Sequence, residues 1–167
     1  MGKELLVARH AKSSWSDSSL SDHDRPLNKR GHRDAPKMAD WIAQKELVPD
    51  LVLSSSANRA ITTARIYCEQ WTSSVEPAIF KEFYLADPLT YLETLATLVT
   101  PLDRVMVVGH NPGLESLVEV LTGEDEIMPT AAIAHIRVAV ESWSDLARGS
   151  QIGTLVEIFR PKALFGD

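Results

Sequence analysis

Leu5-Leu6-Val7-Ala8-Arg9-His10 decides how the chain is read, because four apolar residues run straight into an arginine and a histidine. A short apolar run without polar alternation suits a buried strand of a parallel sheet. Two further runs behave alike. Val105-Met106-Val107-Val108-Gly109 stops at His110, and Leu51-Val52-Leu53 stops at Ser54-Ser55-Ser56, with Arg59 shortly after. Open parallel sheets bind ligands just beyond the carboxyl ends of their strands. Three strands therefore deliver His, Arg and Ser to one edge, a set suited to holding and transferring a phosphoryl group.

Helical patterns separate these runs. Asn28 can cap a helix toward Lys45 with Ala35, Met38, Ala39 and Ile42 on one stripe. Pro36 either kinks that helix or belongs to its first turn, with the regular part starting near Asp34. Ile61, Ala64, Cys68 and Trp71 mark a second helix from about Asn58, which puts Arg59 in its first turn. Ile79-Phe80 is a weak strand followed by Glu82. Pro88 opens a third helix, and Asn111-Pro112 caps and starts a fourth. Ala132 to Val140 alternates, and a second run, Thr154 to Phe159, follows the loop Glu141 to Gly153, so the chain closes on an antiparallel hairpin. The expectation is a single domain over residues 1–167, a three-layer α/β/α fold with a mainly parallel sheet and a C-terminal antiparallel hairpin. Right-handed crossovers keep the leading strand ends at one rim. The Ser/Asp-rich stretch Ser13 to Asp24 reads as a long loop of the kind that serves as a lid.

With 167 residues the chain can bury a core without staples. Its single cysteine, Cys68, excludes an internal disulfide and falls on an apolar stripe, so it reads as core. The opening Met1-Gly2-Lys3-Glu4 leads into only four apolar residues, too few for a signal peptide or a span. A soluble cytoplasmic protein is expected. The net charge of −6 disfavours nucleic acid and anionic membranes as partners. Phosphate binding must then rest on a local cluster of positive groups.

Arg9 and Arg59 suit that task because guanidinium is planar, forked and always charged. His10 can attack phosphorus through one ring nitrogen, provided a nearby carbonyl pins the other as a donor. His110 can donate to a phosphoryl oxygen, and the Ser13-Ser14 loop can add donors. No metal or other cofactor is required, and the five histidines show no metal-binding spacing on one helix. His23 and His32 lie in polar sequence and are expected to be solvated; His135 is expected to be structural. A serine hydrolase is the competing enzyme. It lacks a Gly-x-Ser-x-Gly elbow and would leave the arginines without a task.

These residues resemble the histidine phosphatase superfamily, the phosphoglycerate-mutase-like fold. The resemblance is carried by LLVARHAKSSW at 5–15, RPLNKRG at 25–31, VLSSSANRAITTA at 52–64 and VMVVGHNPG at 105–113. The short chain and MPTAAIAHIRV at 128–138 are most similar to its SixA branch, the small protein-phosphohistidine phosphatases. The resemblance implies that His10 is the phosphorylated nucleophile and that Arg9, Arg59 and His110 complete the phosphate pocket. Ala11 stands where the motif has glycine. Larger relatives carry an acid after the third strand as proton donor, and Glu82 falls near that place, with Asp87 second. The implied activity is a metal-independent phosphatase acting on phosphohistidine of a protein. The alternatives are a small-molecule phosphomonoesterase, a mutase, and an inactive phosphoprotein-binding module.

Overall fold

The computed structural model describes residues 2–73, 76–99, 101–148 and 152–166. Among these residues six strands form one sheet: β1 (Lys3–Arg9), β2 (Leu51–Ser55), β3 (Ala78–Phe80), β4 (Arg104–Gly109), β5 (Ile133–Val138) and β6 (Gly153–Phe159), in the order β3-β2-β4-β1-β5-β6. The first four run parallel, while β5 pairs antiparallel with β1 and β6 antiparallel with β5. The hairpin is as expected, with a register shift between His135 and Ile136. Part of its connecting loop, residues 149–151, lies outside the described residues.

Among the described residues five helices cover the sheet: α1 (Lys29–Gln44), α2 (Asn58–Gln70), α3 (Pro88–Ala96), α4 (Gly113–Thr122) and α5 (Pro161–Phe165). Alternate strand residues feed two cores. Leu5, Val7, Leu53, Val105 and Val107 pack with α3, α4 and Trp143. Leu6, Ala8, Val52, Met106 and Val108 pack with α1 and α2, and α5 lies on the same side through Leu164 and Phe165. Both faces are dry, which is why these strands read as unbroken apolar runs.

Local signals fix most boundaries. The Asn28 side chain accepts from the Gly31 N–H and starts α1, so Pro36 lies inside the helix rather than in its first turn. A proline cannot donate to the carbonyl four residues back, here His32. His32 is exposed, so water can take that place. Asn111 does not cap α4. The cap position is Pro112 without a side-chain bond, and Asn111 Nδ2 donates instead to the Met128 carbonyl.

The strand order places the ends of β2, β4 and β1 side by side. Two glycines let other groups close in behind them. A Cβ on Gly109 would meet the buried Tyr91 hydroxyl, and one on Gly113 would overlap the Ala86 carbonyl oxygen. The second obstacle is backbone and cannot swing away. Gly113→Ala is expected to lower the unfolding free energy by about 1–3 kcal/mol, the usual cost of overpacking a filled interior, read as a lower urea midpoint at an unchanged m-value.

Candidate active site

His10 follows β1 and is held on both sides of its backbone. Its N–H donates to Gly109 O at 3.2 Å, and its carbonyl accepts from the Ala131 N–H at 2.9 Å. Ring Nδ1 lies 2.8 Å from the Ala11 carbonyl. A carbonyl can only accept, so Nδ1 carries the proton and Nε2 keeps its lone pair. Arg59 agrees with this tautomer, since its Nε–H points at His10 Nε2 from 3.4 Å. The Ala11 N–H donates to Thr63 Oγ1, which itself donates to the Arg59 carbonyl. Ala11 is not among the residues of positive φ, so this loop does not need the glycine of the motif.

His110 follows β4, with its ring centroid 5.2 Å from that of His10. Its Nε2 is 2.7 Å from Ser55 Oγ, at the end of β2. Ser55 is fully buried and already accepts from the Ala57 N–H, so its hydroxyl proton is free to go to Nε2. Its full burial keeps it from meeting a substrate, and among the described residues no carboxylate stands behind His110 Nδ1, so a serine-hydrolase triad is not assembled here. His110 Nδ1 is then the protonated nitrogen, and it is buried without a hydrogen-bond partner.

Both rings line a cleft of about 210 Å³ with Arg9, Arg59, Ser13 and six residues that the sequence did not single out, Lys12, Trp15, Asp22, Arg25, Leu85 and Thr130. Arg9 Nη1 donates to the Met128 carbonyl at 3.1 Å, and Met128 is held in turn by Glu115 at 2.7 Å. Arg9 Nε is buried without a hydrogen bond, as are Nε and Nη1 of Arg25. Arg25 Nη2 donates to Ser13 Oγ, which leaves the Ser13 O–H able to donate to a ligand in the cleft. Arg59 Nη1 and Nη2 donate to the Asp22 carbonyl and carboxylate at 2.6 and 3.0 Å. The Tyr84 hydroxyl donates to the same carboxylate at 2.5 Å.

The loop from Ser13 to Asp24 is therefore tied down. Ser13 bridges to Leu27, Asp22 rests on Arg59, and His23 Nε2 meets Ser56 Oγ at 2.9 Å. His23 is not simply solvated, because its ring also packs edge-on against Tyr84. His32 is exposed, and His135 is buried with Nε2 2.5 Å from Glu4, the structural role expected of it. Glu82 stands apart from the four central residues. It is exposed in a short 3-10 turn (Lys81–Phe83) and does not line the cleft, because that turn points the neighbouring Phe83 into the core instead. Asp87 caps α3 by accepting from the Thr90 N–H. Among the described residues no three His, Cys, Asp or Glu side chains form a metal-ligand cluster.

Burial, reinforced by Arg59, Arg9 and Arg25, pulls the His10 pKa down to about 4 against the partial offset of the Ala11 hydrogen bond. Burial, then His10 and Arg59, pulls His110 to about 3. Both rings are neutral at neutral pH. Asp22 is held below its usual range by the Tyr84 hydroxyl and by Arg59, so it stays an anion. The unfolded chain takes up protons on these imidazoles from pH 6.5 downward, while the folded chain refuses them until about 4 and 3. Their stabilising contribution is complete above pH 6.5 and is lost as the pH falls through those folded values. In the ligand-free protein, the ring-proton NMR shifts of His10 and His110 should stay flat from pH 8 to 5.5, with the melting temperature declining below pH 6.5.

Residues 5–83 match the histidine phosphatase superfamily (branch 1). An uncharacterized Mycobacterium tuberculosis protein is 36% identical over 153 residues, covering 84% of this chain and 92% of its own. A crystal structure from Agrobacterium tumefaciens, assigned as the phosphohistidine phosphatase SixA, shares 30% identity at a TM-score of 0.80, over 96% of this chain and 99% of that one. The chain belongs to the histidine phosphatase superfamily. A structure of the protein histidine phosphatase SixA complexed with tungstate has the same fold, at a TM-score of 0.82 and 24% identity over 96% and 99% of the two chains. This histidine phosphatase is thus a hydrolase of SixA-like architecture. No helix among its described residues is long and apolar enough to cross a membrane.

Proposed function

We propose that this histidine phosphatase removes the phosphoryl group from phosphohistidine on a protein, through a phosphorylated His10 and without a metal or other cofactor. The observation that carries the reading is the His10 tautomer, with Nδ1–H on the Ala11 carbonyl and the Nε2 lone pair in a cleft lined by three guanidiniums. In the first step Nε2 forms a bond to phosphorus while the bond from phosphorus to the leaving imidazole breaks. Arg9, Arg25 and the Nδ1–H of His110 take the charge on the equatorial oxygens. Arg59, anchored through both Nη atoms on Asp22, presents Nε. Water then attacks phosphorus, the electron pair of the N–P bond returns to Nε2, and inorganic phosphate leaves.

The choice of substrate rests on proton supply. An alkoxide leaving group needs a general acid. Among the described residues lining the cleft the one carboxylate is Asp22, and it is held as an anion by Tyr84 and Arg59. Phosphohistidine protonated on its second ring nitrogen departs as neutral imidazole and asks for no such acid. The SixA likeness favours the same substrate class.

Brief reaction with a labelled phosphodonor and a denaturing quench should leave acid-labile, base-stable label on His10. His10→Ala should abolish both label and turnover while the circular dichroism is unchanged; retained turnover would end the nucleophile assignment. Arg59→Ala is expected to lower kcat/KM by about 10²–10³, the loss typical of one preorganised transition-state donor. Glu82→Gln should leave kcat and KM close to those of the parent, and release of inorganic phosphate separates hydrolysis from mutase chemistry.

A further inference from the structure

Phosphoryl chemistry does not explain two apolar side chains at the mouth of the cleft. Trp15 is 73% exposed and Leu85 59% exposed, and both line the cleft above its charged floor. They come from different flanks. Trp15 follows β1 and Leu85 follows β3, with β2 and β4 lying between those strands. The guanidinium carbon of Arg25 sits 3.4 Å from the centroid of the Trp15 ring. That contact covers one face of the indole and orients the other.

Leu85 is also held in a backbone conformation that leucine disfavours, with φ at 52°. Among the described residues three other non-glycine residues have positive φ, and each has its own local reason. Glu46 and Thr72 close α1 and α2, where the N–H groups of Leu47 and Ser73 reach back to Ile42 and Cys68. Ala131 is buried and binds the His10 carbonyl. Leu85 is the third residue of a turn closed by the Ala86 N–H on the Phe83 carbonyl at 3.3 Å, a position that calls for positive φ, and its side chain leaves the core for solvent. Glycine would occupy this position without strain. The chain has leucine here instead, and the turn presents that side chain at the cleft.

Resting on the phosphoryl-transfer reading above, we propose that Trp15 and Leu85 are jaws that grip the flat heteroaromatic ring of the leaving group. With the phosphoryl group on the floor and His10 attacking in line, the leaving group points away from His10 toward the mouth. There a ring can lay one face on the indole and the other against the leucine side chain. A pre-oriented indole needs little ordering when the ring arrives. The jaws thus select a phosphoryl group carried on an imidazole over one carried on a polar chain of carbons.

The test compares kcat/KM for a phosphohistidine peptide with kcat/KM for acetyl phosphate, which has no ring, in the parent enzyme, Trp15→Ala and Leu85→Asn. Asparagine tolerates positive φ and matches leucine in size, so Leu85→Asn removes the apolar wall without disturbing the backbone. The ring-to-ringless ratio is expected to fall about tenfold in each variant, the scale of one lost ring contact. A ratio within about twofold of the parent's in either variant overturns the jaws. If the parent cleaves acetyl phosphate and not the peptide, the phosphohistidine assignment falls, and phenyl phosphate against acetyl phosphate decides the jaws by the same criterion. A parent inert toward all three overturns both.

Discussion

The proton that His10 donates from Nδ1 to the carbonyl of Ala11 governs the rest of the site, because it decides which nitrogen keeps a lone pair. That hydrogen bond is not isolated. The same residue gives its N–H to Thr63, and Thr63 binds the Arg59 carbonyl one turn earlier in α2. The tautomer of the imidazole and the position of the arginine facing it are therefore one structural fact, shared between the end of β1 and the start of α2. Arg59 then points its own Nε–H at the lone pair, which only the unprotonated nitrogen can accept.

Concentrating positive charge here runs against the character of the chain, whose net charge is −6. Three guanidiniums line one small cleft, and burial pulls the pKa values of Arg9 and Arg25 below their usual range. The local balance comes from carbonyl oxygens, above all that of Met128, from the carboxylate of Asp22 and from that of Glu115, which acts on Arg9. Several donors remain without a hydrogen bond, namely Arg9 Nε, Arg25 Nε and His110 Nδ1, while Arg25 Nη1 has only an ion pair with Asp22 at 3.7 Å. Buried donors without partners are costly. A tetrahedral anion is the ligand that would satisfy them together.

The sheet and the four central residues are legible in the sequence because each depends on a contiguous pattern. An apolar run names a buried strand, and the residue after the run is the one at the sheet edge. Arg25, Asp22 and Ser55 were not found in this way. Arg25 reaches the cleft only because Ser13 bridges to Leu27, and Asp22 only because the loop folds back onto α2. No periodicity encodes such a path. Ser55 was visible as a strand end, but its bond to His110 joins residues 55 apart. Glu82 shows the converse. Its place along the chain suggested a role, while the 3-10 turn that carries it leaves its side chain in solvent. His23 looked like a surface residue by composition, yet contacts with Ser56 and Tyr84 draw it toward the site.

Gly113 lies at the start of α4, three residues after His110, and its missing side chain lets the Ala86 carbonyl rest directly on the helix. The segment that carries Leu85 and the turn that carries His110 therefore have no slack between them. Movement of one would be felt by the other at once. Exchanging the Leu85 side chain leaves that backbone contact untouched, whereas an insertion in the β3–α3 connection would press through Ala86 on the turn that carries His110.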